Sequence, residues 1–140
     1  MKARIKWVED VLFVGESGSG HTVVIDGAPE HGGRDLGIRP MELMLQSLGS
    51  CTAFDVLLIL KKARQNVKDV VVELDSKRAE KEPKVFTNIH IHFIISGKDV
   101  SEKQVRRAID LSADKYCSAS VMLAKTADIT HDFEIHNEES

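Results

Sequence analysis

The amino-acid sequence predicts an α+β fold, and three observations carry that prediction. Short apolar segments alternating with period two cluster together instead of alternating one for one with helices. One long apolar stretch opens at Pro40, with the next proline only at Pro83. No internal repeat or low-complexity tract interrupts the chain. With 140 residues and 42% apolar content, the polypeptide suits one globular domain and buries about two-thirds of its unfolded surface.

Alternation in Ala3, Ile5 and Trp7, in Leu12 and Val14, and around Val23 and Ile25 predicts three short strands forming an antiparallel meander. Gly15, Gly18 and Gly20, interleaved with Ser17 and Ser19, resemble a phosphate loop only superficially, because no helix follows them; a hairpin turn is predicted. Residues 27–39 turn to Gly, Pro, His and charge, a loop long enough to cover a site. Pro40 then presets the first turn of a long helix, Glu42 suits its positive end, and Lys61, Lys62 and Arg64 suit its carbonyl end, with Asn66 as the predicted C-cap. Leu43, Met44, Leu45, Leu48, Phe54 and the run 56–60 occupy most of its circumference, so this helix is predicted to be buried on nearly all sides. Val70, Val72 and Leu74 predict a fourth strand, and 85–95 a fifth that completes a second hairpin across a charged turn at 77–84. Ser101 and Gln104 read as a capping box opening a second helix that runs towards Cys117. Ile129, His131, Phe133 and Ile135 alternate as a closing strand, and 137–140 reads as a frayed tail. The predicted order is βββ, long helix, ββ, helix, β.

Charge and composition exclude several classes of function. A formal net charge of −3 leaves no basic face for a nucleic-acid partner. The segment after Met1 is charged and alternating, unlike a signal peptide, and the apolar run 56–60 is too short to cross a bilayer, so a cytoplasmic protein without membrane association is expected. In such a compartment the two cysteines, Cys51 and Cys117, suit free thiols, a metal pair or a reversible redox couple better than a structural disulfide.

Cys51 falls inside the long apolar helix. At about 100° per residue, Ser47 and Asp55 lie within about 40° of it, whereas Glu42 lies on the opposite side about 13 Å along the axis. Gly49 and Ser50 remove bulk beside the sulfur; a helical glycine costs about 1 kcal/mol against alanine, so close packing or substrate access must offset it. An inert core thiol and a reactive one are both compatible with this pattern. A reactive thiolate needs a nearby cation, for which Arg34, Arg39 and Lys115 are the candidates, while Asp55 acts in the opposite direction. A zinc set would combine both cysteines with His90 and His92, which share a strand face, but no CxxC or HxxxH pair is present and no metal is predicted. His131 and His136 fall on opposite strand faces, and His21 and His31 lie in turns, so none adds to such a cluster.

The segment Arg39-Pro40-Met41-Glu42-Leu43-Met44-Leu45 running to Leu48-Gly49-Ser50-Cys51-Thr52-Ala53, together with Lys115-Tyr116-Cys117-Ser118, resembles the OsmC/Ohr superfamily. Ala3 to Trp7 with Gly15-Glu16-Ser17, and Asp110 to Cys117, look like its YhfA-like branch. The resemblance covers nearly the whole chain. It implies one OsmC-like domain over residues 1–140, antiparallel sheets around a long buried central helix, and an intertwined homodimer with sites at the subunit interface. It further implies a thiol peroxidase for organic hydroperoxides in oxidative stress defence, with Cys51 as peroxidatic and Cys117 as resolving cysteine, a cellular dithiol as reductant, and no cofactor or metal. The alternative it leaves is a non-catalytic binding protein that holds a small apolar ligand at the interface. Characterised members place a glutamate directly after the helix-starting proline, paired with a loop arginine. Here Met41 takes that place, Glu42 is displaced by one residue and so by about 100° of helix, and Arg39 or Arg34 is the candidate arginine. Ser118 stands where the peroxidases commonly have proline.

Overall fold

The computed structural model describes residues 1–139; Ser140, the last residue of the expected frayed tail, lies outside the described residues. The chain divides into two compact units, Met1–Gln46 and Ser47–Ser140.

In the first unit, β1 (Ala3–Glu9), β2 (Leu12–Ser17) and β3 (Thr22–Asp26) form the predicted antiparallel meander in sequence order. The glycine-rich stretch is indeed a hairpin turn: the N–H of Ser17 donates to the carbonyl of His21, and Gly20 takes φ +90°. Loop 27–39 is ordered around Asp26, which is only 2% exposed. Its Oδ1 accepts from the N–H of Gly27 at 2.8 Å, and its Oδ2 accepts from those of Arg34 and Leu36 at 3.1 Å each. These donors, the Leu36 N–H foremost, hold the Asp26 carboxyl below the usual carboxylate range. Ile38 returns alongside β3, exchanging backbone bonds with Val24 and Asp26. Gly37 is required there, since a Cβ would meet the carbonyl oxygen of Val24 at 2.5 Å.

Helix α1 (Pro40–Lys62) is one unbroken helix, as its proline start and apolar content predict. Its burial differs from expectation. Leu48, Gly49, Thr52, Val56 and Leu60 are buried, a single stripe at near-fourfold spacing, whereas Phe54 is 64% exposed and Met44 and Leu58 are also exposed. Within this chain α1 is a core helix along one stripe rather than on nearly all sides. It is also the helix, among the described residues, long and apolar enough to cross a bilayer, by length and composition, so the short run 56–60 understates it. The C-cap differs too. Arg64, not Asn66, adopts the left-handed conformation (φ 58°), the Gln65 N–H reaches the Leu60 carbonyl, and the Arg64 N–H reaches that of Lys61, a Schellman ending.

In the second unit, β4 (Asn66–Arg78) and β5 (Phe86–Lys98) form a long antiparallel hairpin. Ile89, Ile91, Phe93 and Ile95 of β5 form the buried face of this unit, at most 1% exposed, and each such side chain contributes roughly 1.5–3 kcal/mol relative to exposure. Strand β6 (Asp128–Asn137) pairs with β5 in parallel, so this sheet is mixed and not wholly antiparallel as predicted. Helix α2 (Glu102–Leu111) has Ser101 as N-cap, its Oγ accepting from the Gln104 N–H; the Ser101 N–H donates to the Gln65 side chain, so half of the predicted capping box is met from β4's leading loop. The apolar residues 121–123 belong to a short helix α3 (Ser118–Leu123) that the sequence pattern does not predict. Asn137 is not frayed: it ends β6, and its side chain bonds both the N–H and the carbonyl of Val100.

Candidate functional site

Between α2 and α3 the chain makes a π-helical turn, Ser112–Tyr116, closed by the Cys117 N–H donating to the Ser112 carbonyl at 2.8 Å. This wide turn sets Cys117 at the start of α3, where its Sγ accepts from the Ser120 N–H at 3.3 Å. It also brings Cys117 to α1. The Sγ atoms of Cys51 and Cys117 and a carboxylate oxygen of Asp55 all lie within 4.8 Å of one another. Both cysteines are free thiols; Cys51 is half-buried and Cys117 fully buried. From that separation, a disulfide of about 2.05 Å requires the sulfurs to close by at most about 3 Å.

Asp55 sits one helical turn beyond Cys51, as helix geometry predicts, and its carboxylate is held from below. The Ser112 Oγ donates to Asp55 Oδ2 at 3.1 Å, and Ser112 Oγ lies 3.0 Å from Thr52 Oγ1. With its proton committed to Asp55, Ser112 accepts from Thr52, giving a directed chain Thr52 to Ser112 to Asp55. Burial, followed by the hydrogen bond with Cys51, pushes the Cys117 thiol up to about 12 against the pull of the Ser120 N–H. Cys117 is therefore a neutral thiol at physiological pH, and the accessible sulfur is Cys51. Gly49 explains itself by packing: a Cβ there would lie 2.7 Å from Leu74 Cδ1, so the missing side chain lets α1 settle on β4. The substrate-access explanation for Gly49 is not needed.

The other sequence candidates have partners within their own units. Arg34 pairs with Glu9 at 2.5 Å and Asp10 at 3.4 Å. The Arg39 guanidinium pairs with Asp35 at 2.8 Å and also reaches the Gly37 carbonyl. Glu42 is a helix-start group, its Oε1 accepting from the Arg39 N–H at 2.8 Å. Lys115 lies over the Tyr116 ring, 5.4 Å from its centroid. His90 and His92 do share a face of β5, but they bond to Thr130, Asp132 and Glu134 of β6, and so do not join the sulfurs.

Comparison with known proteins supplies the family. The family model for OsmC-like protein matches residues 32–132. The chain belongs to the OsmC-like family. Protein YhfA of Escherichia coli strain K12 is 48% identical over 135 residues, 96% of this chain and 98% of that protein. A crystal structure of a hypothetical protein from Aquifex aeolicus VF5 is 34% identical, covers 99% of this chain and 97% of its own, and superposes with a TM-score of 0.86. The crystal structure of the organic hydroperoxide resistance protein OhrB of Bacillus subtilis shares the fold at 15% identity, with coverage of 96% and 98% and a TM-score of 0.65.

In this OsmC-like chain two site residues escape sequence reasoning. Ser112 is far from Cys51 in sequence, and within the Asp110–Cys117 segment nothing singles it out; its position at the helix-to-π transition, a common mark of functional sites, becomes visible only in three dimensions. Thr52, adjacent to Cys51, reads as an ordinary helix residue. The histidine–carboxylate ladder is likewise hidden, because it needs the parallel register that sets His92 opposite Asp132.

Proposed function

We propose that this OsmC-like protein is a cytoplasmic thiol-dependent peroxidase that reduces organic hydroperoxides in oxidative stress defence. The observation that carries the reading is the convergence of an accessible Cys51 and a buried Cys117 within 4.8 Å. Cys51 thiolate attacks the distal oxygen of ROOH; the O–O bond breaks, ROH leaves after taking a proton, and Cys51 becomes a sulfenic acid. The Cys117 thiol then displaces water to form the Cys51–Cys117 disulfide, and a cellular dithiol reduces it while being oxidised to its own disulfide. Asp55, steadied by Ser112, is the acid–base group beside both sulfurs. Arg34, Arg39 and Glu42 are not assigned roles, since each is engaged within the first unit.

The working form in this reading is a homodimer. Phe54 and Leu58, on the same face of α1 as Cys51, are exposed apolar residues that a second copy would cover, and Ile5, Trp7 and Val8 of β1 are exposed as well. The same exposed Phe54 and Leu58 favour the second reading, a pocket for an apolar ligand.

The test is thiol titration of the reduced protein with cumene hydroperoxide. Loss of two thiols per chain, abolished in Cys51→Ser and replaced by a dimedone-reactive sulfenate in Cys117→Ser, is expected. No thiol loss at modest peroxide excess overturns the peroxidase reading, and an apolar molecule retained by the double cysteine variant establishes the ligand-binding one.

A further inference from the structure

We propose that the fully reduced protein binds one zinc ion per chain through Cys51 Sγ, Cys117 Sγ and a carboxylate oxygen of Asp55. The sequence has no CxxC or HxxxH pair, but the fold supplies a third donor, Asp55, one turn along α1 from Cys51. Four-coordinate zinc with Zn–S near 2.3 Å has ligand–ligand edges of about 3.8 Å, and the three donors already lie within 4.8 Å of one another. Small rotations of short side chains complete the contraction. Two thiolates and one carboxylate form a donor set that suits zinc.

The surroundings match those of built metal sites. A ligating carboxylate is normally fixed by an outer hydrogen bond, and Asp55 Oδ2 is held by Ser112, which leaves Oδ1 for the metal. Ser112 is in turn held by Thr52, and both are buried. Cys117 Sγ is oriented by the Ser120 N–H. With three protein ligands, a fourth position stays open, and Cys51 is the cysteine of the two that is not fully buried. Binding breaks the two S–H bonds, forms two Zn–S bonds and releases the protons to solvent, with no change of oxidation state. With two thiols and one carboxylate the site carries one negative charge before binding and, with two thiolates, the carboxylate and the ion, one after, the two released protons balancing the charge of the zinc. Oxidation of the two sulfurs to a disulfide removes two of three ligands, so the ion leaves as the disulfide forms.

The experiment is competition between reduced, metal-free protein and a chromophoric zinc chelator, with cobalt(II) as a spectroscopic substitute. One zinc per chain and a sulfur-to-cobalt charge-transfer band are expected. Cys51→Ala should weaken binding by about a hundredfold or more, and Ser112→Ala by about tenfold to a hundredfold. Wild-type protein oxidised with diamide, whose fold is not in question, should release its zinc. A His90→Gln/His92→Gln variant should bind as wild type. A cobalt complex lacking the thiolate band, retention of zinc by the disulfide form, or loss of binding in the histidine variant overturns the proposal. Peroxide-dependent thiol loss, measured on metal-free protein, tests the peroxidase reading separately.

Discussion

Ser112 illustrates how much of a site can depend on one small hydroxyl. It is fully buried, its Oγ links Thr52 to Asp55, and its carbonyl holds the Cys117 amide. Ser112→Ala leaves the buried Thr52 hydroxyl without its partner, and we expect a loss of about 1–3 kcal/mol in urea unfolding. Thr52→Val removes the stranded group, so the double variant should be less destabilised than the sum of the singles; strict additivity would show that the two hydroxyls act independently. Asp55 was legible from helix geometry because it lies four residues from Cys51. Ser112 was not, since nothing local to residues 111–117 reports a contact with a distant helix. Cys117 shows the same limit: the sequence named the sulfur, but only the π-helical turn shows how it reaches Cys51.

Elements were predicted best where the period of apolar residues decides them. All six strands and the two longer helices were legible, while α3 was missed because six residues span fewer than two turns and hold no periodic signal. The direction of β6 was illegible for a different reason: alternation gives the faces of a strand but not its partner's orientation. That orientation creates the ladder of His90, His92 and His136 against Asp132 and Glu134. Glu134 and then Asp132 raise the His92 pKa above its ordinary 6.5, and His92 lowers Asp132 and Glu134 below 3.8 and 4.5. The His92 contribution is present below about pH 6.5 and is lost as pH rises through its folded value; the carboxylate contributions are present above about 4.5 and are lost on acidification through their folded values. Half-buried His131, its pKa lowered by desolvation, acts with the opposite sign, so the His92 contribution is read by difference: the stability gap between wild type and His92→Gln in thermal melts should narrow from mildly acidic to alkaline pH and in high salt. On α1, Gly49→Ala gains about 1 kcal/mol of helix propensity but meets Leu74 at 2.7 Å, and overpacking costs about 1–3 kcal/mol. A net loss of stability is expected, reversed in Gly49→Ala/Leu74→Ala relative to Leu74→Ala alone.

For the whole molecule, the α+β class and family followed from the sequence, and the nearly all-round burial of α1 did not follow within one chain. The apolar residues do run round most of the helix, but Phe54, Met44 and Leu58 are exposed in this chain. On the proposed dimer, sedimentation equilibrium should give twice the chain mass, and Phe54→Glu, at a position 64% exposed in the single chain, should shift the population to monomer without loss of helical circular dichroism. A Phe54→Glu protein that remains dimeric would place the subunit contact elsewhere.

The wide turn before Cys117 places Lys115 and Tyr116 outward, both exposed. Scission of the peptide bond between them leaves Cys51 on the larger fragment and Cys117 on the smaller, and the smaller fragment retains β6 with its full parallel register on β5. A protein nicked by trypsin at that bond should hold together natively, and under denaturing electrophoresis its two pieces should migrate as one species after peroxide and as two after dithiothreitol. The redox state of the buried sulfur thereby becomes visible as a band.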